Sequence, residues 1–186
     1  MTADDPVARA VALVRLFEPD TRRFGLFSAA ESEAVPDEAR RLLDHRGHMT
    51  VTLDRAHGGP VSLRVLRTAD VAGAEGGPRY AREILLFSPD DRPVLHGIVR
   101  IDLTAVTSAT ARAIRAGSVP LGRILLEAGM LCEIDDVGFV RIAPGDHLRG
   151  LWASADREAH GRVARIMLDR RPAVELLEIL IHPAAS

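Results

Sequence analysis

The chain has 186 residues, 47% of them apolar and 27% charged, with 24 basic side chains against 26 acidic ones and a formal charge of -2. That is the size of a single domain able to bury roughly 70% of its unfolded surface, and one domain over residues 1–186 is expected. No basic block breaks the mixture, so nucleic acid is not expected as a partner. Every basic side chain is Arg, with no Lys, Asn or Gln in the chain, which excludes a Schiff-base lysine, a covalently held pyridoxal cofactor and a phosphate loop ending in Gly-Lys.

Taken in chain order, Ala8, Val11, Ala12, Val14 and Leu16 pattern as an amphipathic first helix, and the polar stretch 18–35 that follows reads as an arm or lid. Pro36 opens a second helix through Leu42 and Leu43. A third spans residues 49–56, with Thr50 as its candidate cap. After the turn His57-Gly58-Gly59-Pro60 the period changes to two: Val61, Leu63 and Val65 alternate, and runs at 79–87 and 94–103 follow, separated by a Gly-rich link (72–78) and a turn (88–93). Residues 107–116 and the segment from Pro120 to Gly129 read as two short helices. Residues 134–142 read as a strand, 147–152 as a short helix, and 161–168 with 173–182 as a last hairpin. Consecutive strands joined by short turns imply an α+β fold, a single antiparallel sheet with helices on one side.

Cys132 is the only cysteine, so no intrachain disulfide forms, and it reads as a packing residue. No apolar run reaches the roughly 18 residues of a membrane helix, and residues 1–6 are acidic. A cytoplasmic protein with no membrane partner is expected.

Charges on strand faces carry the chemical signal. In the run 79–87, Tyr80, Arg82, Ile84 and Leu86 share one side, while Ala81, Glu83, Leu85 and Phe87 share the other. In the last strand Glu178 shares a side with Val174, Leu176 and Leu180. An ionised group withdrawn from water is costly unless paired, so such charges mark either a structural ion pair or a polar ligand site. Most charges in such settings are structural or solvated. Other candidates are weak. His45 and His48 are three apart but interrupted by Gly47, and no metal is expected. Asp146-His147 reads as a cap beside a surface histidine, Ser154 and His160 lack a nucleophile elbow, and Gly58-Gly59 and Gly76-Gly77 read as turns.

Four segments in order, Gly47-His48-Met49-Thr50, residues 79–86 (Arg-Tyr-Ala-Arg-Glu-Ile-Leu-Leu), residues 120–125 (Pro-Leu-Gly-Arg-Ile-Leu) and Leu177-Glu178-Ile179-Leu180, resemble the chorismate lyase superfamily. The stretch 93–125 is similar to a less characterised bacterial branch of it. The resemblance spans roughly residues 40–183 and is weakest over 131–160. It implies an antiparallel sheet enclosing a small cavity under helical flaps, and a cofactor-independent elimination of pyruvate from chorismate to leave 4-hydroxybenzoate. It further implies that Arg82 holds the ring carboxylate with help from backbone amides at Met49 and Leu121, beside Gly122. Glu178, at the far end of the ring, would move the proton that accompanies C–O cleavage; Tyr80 and Arg123 would stand behind these residues. Two other readings share the fold: a biosynthetic enzyme acting on another small carboxylate, and a non-catalytic binder of an aromatic acid. Oligomeric state is not legible.

Overall fold

Asp5 accepts a hydrogen bond from the Val7 amide at 3.0 Å and Pro6 follows it, so the chain enters its first helix, α1 (Pro6–Val14), with both N-terminal signals met. The computed structural model describes residues 5–72, 78–152 and 158–181. Six further helices follow: α2 (Thr21–Phe24), α3 (Asp37–Leu43), α4 (Met49–Ala56), α5 (Ser108–Ala116), α6 (Leu121–Glu127) and α7 (Asp146–Trp152). The seven strands are β1 (Gly25–Ala30), β2 (Ser62–Ala72), β3 (Pro78–Phe87), β4 (Pro93–Asp102), β5 (Cys132–Pro144), β6 (Ala159–Leu168) and β7 (Arg171–Leu180). No described helix is long and apolar enough to cross a membrane.

The strands form one antiparallel sheet in the order β1-β5-β6-β7-β4-β3-β2. Two meanders, β2-β3-β4 and β5-β6-β7, meet where β4 pairs with β7, as the α+β expectation requires. The β6–β7 hairpin turns through Asp169 and Arg170, with φ of 48° and 67°. Positive φ at both central residues is what a two-residue turn needs to match strand twist.

Three expectations are corrected. Helices cover both faces of the sheet, not one: α3, α4, α5 and α6 pack on the side of Ile84, Val99 and Leu176, while α1, α2 and α7 pack on the side of Leu85, Ile98 and Leu177. The polar stretch read as an arm contains β1, which pairs with β5 from Gly25↔Pro144 to Ala30↔Phe139. It is an edge strand with little alternation in its burial, so nothing local announces it. Thr50 is not the cap of α4: His48 holds that position and Thr50 is buried inside the helix. Gly76-Gly77, Ser154 and the predicted strand end at His182 lie outside the described residues.

Candidate functional site

The period of two in β3 turns Arg82, Ile84 and Leu86 toward α3–α6, and cross-strand register carries that face across the sheet. Arg82 pairs with Val99 and Val99 with Leu176; one row over, Ile84 pairs with Gly97, Gly97 with Glu178, and Glu178 with Arg162. Arg82 and Glu178 therefore stand two strands and two residues apart, roughly 12 Å between Cα atoms from ordinary sheet spacings. Between them the floor drops at Gly97, where a Cβ would lie 3.1 Å from Ile84 Cγ1. The result is a cavity of about 50 Å³ bounded by Arg82, Gly97, Arg162 and Glu178 below and by Met49, Leu121 and Gly122 above.

The roof consists of the first turns of α4 and α6. No side chain caps either turn; His48 and Pro120 occupy the cap positions. Gly122 lets the two helices approach: a Cβ there would stand 3.2 Å from Thr50 Oγ1 and 3.3 Å from His48 Nδ1. Arg123 then ties α6 to α4 through Asp54 at 2.9 Å, on the outer side of the roof. That pair is about one-third exposed, so it adds at most about 1 kcal/mol.

Arg82 is 1% exposed. Its Nη1 donates to the Ile114 carbonyl at 3.3 Å, and its Nη2 is buried with no partner among the described residues. No carboxylate pairs with it, and burial pulls the guanidinium below its ordinary pKa. Arg162, fully buried, differs in having a carboxylate partner, although its Nη2 is likewise buried with no partner among the described residues. Its Nε donates to Glu178 Oε2 at 2.7 Å, and its Nη1 donates to the carbonyls of Leu43 at 2.9 Å and His45 at 2.8 Å. It thereby pins the C-terminal end of α3 to the sheet, where a cation also suits the helix dipole. Desolvation lowers the pKa of His45 and His48, favouring neutral rings. The pocket thus holds two guanidinium charges and one carboxylate, a surplus of one positive charge. Its other walls, including Leu86, Leu95 and Ile166, are apolar.

All five residues singled out from the sequence, Arg82, Glu178, Met49, Leu121 and Gly122, line this one cavity. Tyr80 and Arg123 do not: Tyr80 lies beneath the Arg115 guanidinium, 4.9 Å from its ring centroid. Arg162 was missed, although alternation from Ala164, Ile166 and Leu168 places it on the same face. His147 is not a surface histidine. It is partly buried and bonded to Glu83 on the opposite side of the sheet. Cys132 is half-buried beside the α6 core and burial raises its thiol pKa, which suits packing.

No protein-family model matches the chain, and no curated protein sequence matches it significantly. Solved structures do share the fold. The effector domain of PhnF from Mycobacterium smegmatis is 16% identical, with a TM-score of 0.51 over 72% of this chain and 88% of that one. A GntR-family transcriptional regulator from Enterococcus faecalis is 9% identical, with a TM-score of 0.53 over 67% and 96%. The ligand-binding domain of a putative GntR-family regulator from Bordetella bronchiseptica is 17% identical, with a TM-score of 0.52 over 68% and 91%. The chain therefore has the fold of GntR-family effector domains, the chorismate lyase-like fold expected from the resemblance.

These likenesses overturn two expectations. The fold belongs here with effector and ligand-binding domains of transcriptional regulators, so a carbon–oxygen lyase is no longer the reading. The exclusion of nucleic acid as a partner fails as well: it rested on this chain's own surface charge, whereas the similar chains come from transcriptional regulators.

Proposed function

We propose that this chain is a non-catalytic sensor domain that binds a small organic carboxylate on Arg82 and reports occupancy to a DNA-binding module. The carrying observation is the Arg82 guanidinium, buried in a largely apolar pocket with no counter-ion bonded to it among the described residues. Such a charge is costly in the free protein, and a ligand carboxylate supplies the missing anion and the acceptor for Nη2. One surplus charge matches one carboxylate. The first turn of α4, uncapped by any side chain, adds amide donors and the positive end of its dipole above the same space.

Size sets a second condition. The cavity of about 50 Å³ is well below the roughly 150 Å³ that admits benzene in an engineered apolar cavity. A two- to four-carbon acid fits with little rearrangement, and an aromatic acid enters only if α4 and α6 separate. The test is calorimetric titration of the protein with acetate, pyruvate, benzoate and 4-hydroxybenzoate, with acetamide and benzamide as uncharged counterparts. Saturable binding of a carboxylate, absent for its amide, is the expected result; equal response to both members of a pair would sink the reading.

Gly97 supplies an independent check. A methyl group at this position projects into the pocket and meets Ile84 Cγ1 at 3.1 Å, Ile84 Cδ1 at 3.3 Å and Leu95 Cδ2 at 3.5 Å, so the Ile84 side chain must give by a few tenths of an ångström. Gly97→Ala is expected to keep the fold, shown by an unchanged circular dichroism spectrum, while weakening carboxylate binding by about ten-fold or more.

A further inference from the structure

On the face of the sheet opposite the pocket, β3, β4 and α7 bring three metal-ligating side chains together. Glu83 follows Arg82 in β3 and His96 precedes Gly97 in β4, so both point away from the pocket by strand alternation. Both side chains are completely buried. His147 reaches them from α7 and keeps 21% of its side chain exposed. Glu83 Oε1 lies 2.9 Å from His96 Nε2 and 2.9 Å from His147 Nε2, and the three atoms all fall within 4.8 Å of one another. The geometry points to a second site, a two-histidine, one-carboxylate centre for a first-row divalent cation such as Zn²⁺ or Co²⁺.

The spacing suits the chemistry. Ligand bonds of about 2.0–2.2 Å meeting at right angles place neighbouring donor atoms about 3 Å apart, the separation between Oε1 and each imidazole nitrogen here. The outer shell is also built. Arg67 Nε donates to Glu83 Oε2, the oxygen that such a cation would leave free, and Arg67 Nη1 donates to the Phe17 carbonyl at 2.7 Å. A hydrogen-bonded carboxylate of this kind is how ligating acids are held in place. The Phe24 ring packs against both imidazoles, with centroids 5.4 Å from His96 and 5.7 Å from His147. His96 Nδ1 is buried with no partner among the described residues, so a neutral ring that ligates through Nε2 carries its proton on an Nδ1 that has no acceptor.

Arg67 Nη2 sits 3.3 Å from His147 Nε2 and competes for the lone pair a cation would use, so metal binding requires that contact to open. A divalent cation with Glu83 and Arg67 sums to +2, the same as zinc held by three neutral histidines, a known arrangement. Glu83 lies 13 residues from His96 and 64 from His147, too far apart for a short ligand motif, and only the sheet and α7 bring them together.

The test uses the full chain stripped with a chelator and dialysed against Zn²⁺ or Co²⁺ alone. Expected are one ion per chain, visible Co²⁺ absorption and a raised melting temperature. In the His147→Ala chain, uptake weakens by at least about 100-fold, whereas His45→Ala, at the competing histidine pair near the pocket, binds as wild type. Because His147 is partly exposed, its loss should leave the fold intact, checked by circular dichroism. Failure of the wild-type chain to take up stoichiometric metal, or uptake unchanged in His147→Ala, overturns the site. Either result leaves the carboxylate pocket untouched, since that pocket is read by its own titrations.

Discussion

Arg82→Met is expected to raise the melting temperature of the ligand-free protein by roughly 5 °C while abolishing carboxylate binding. The side chain is 1% exposed, makes one hydrogen bond of 3.3 Å to Ile114 and has no acidic partner. Removing a buried guanidinium relieves a desolvation penalty of several kcal/mol, and methionine fills similar space with apolar atoms. The lost bond to the Ile114 carbonyl returns about 1 kcal/mol of that gain. A net of about 2 kcal/mol remains, and for a chain of this size each kcal/mol moves the midpoint by roughly 2–4 °C. Carboxylate affinity falls at the same time by about 100-fold or more, the effect of truncating one partner of a buried charge pair. Thermal melts and calorimetry on the same preparations read both quantities. A melting temperature that falls would mean Arg82 is already compensated in the free protein, and the sensor proposal would lose its central observation.

The opposite sign is expected one row away. Glu178→Gln removes the carboxylate bonded to the fully buried Arg162, the only one among the described residues. Breaking a buried pair from one side leaves an uncompensated charge and costs about 3 kcal/mol, a loss of roughly 9 °C in the melting temperature. Glu178 keeps 13% of its side chain exposed, so water limits the penalty to the lower end of the usual range. The Arg162→Met, Glu178→Leu double variant should recover much of that stability, because replacing both charges with apolar atoms removes the unpaired one. It will not recover all of it. Arg162 Nη1 also satisfies the Leu43 and His45 carbonyls, and their release loosens α3 and the chain leading to α4. Urea unfolding of the wild type, both single variants and the double variant measures the coupling directly. Additive single effects would show that the two side chains do not act as a pair.

These opposed outcomes come from residues that look alike in the sequence. Arg82 and Glu178 are each a lone charge on an apolar strand face, and alternation alone places each toward the pocket side. The five proposed pocket residues were legible because the resemblance named them, and for Arg82 and Glu178 the strand period added which neighbours share their side. What distinguishes Arg82 from Glu178 was not legible. Register puts Arg162 directly across from Glu178 and an apolar valine across from Arg82. Pairing register is a long-range property, and it decides which charge is neutralised and which waits for a ligand.

Composition and local pattern determined the α+β class, the three-strand run over residues 61–103, the last hairpin and the absence of lysine chemistry, because those follow from side-chain type and a period of two or 3.6 read over a few residues. Tertiary structure alone decided three matters. It added β1 to the sheet edge through pairing with β5, which no local signal marks. It distributed helices to both faces, since a strand buried on both sides looks the same whichever helix covers it. It also gathered Glu83, His96 and His147 from three elements into one buried cluster. Hydrogen-bond and ligand geometry act over a few ångströms in space, and only the folded chain sets those distances between residues far apart in sequence.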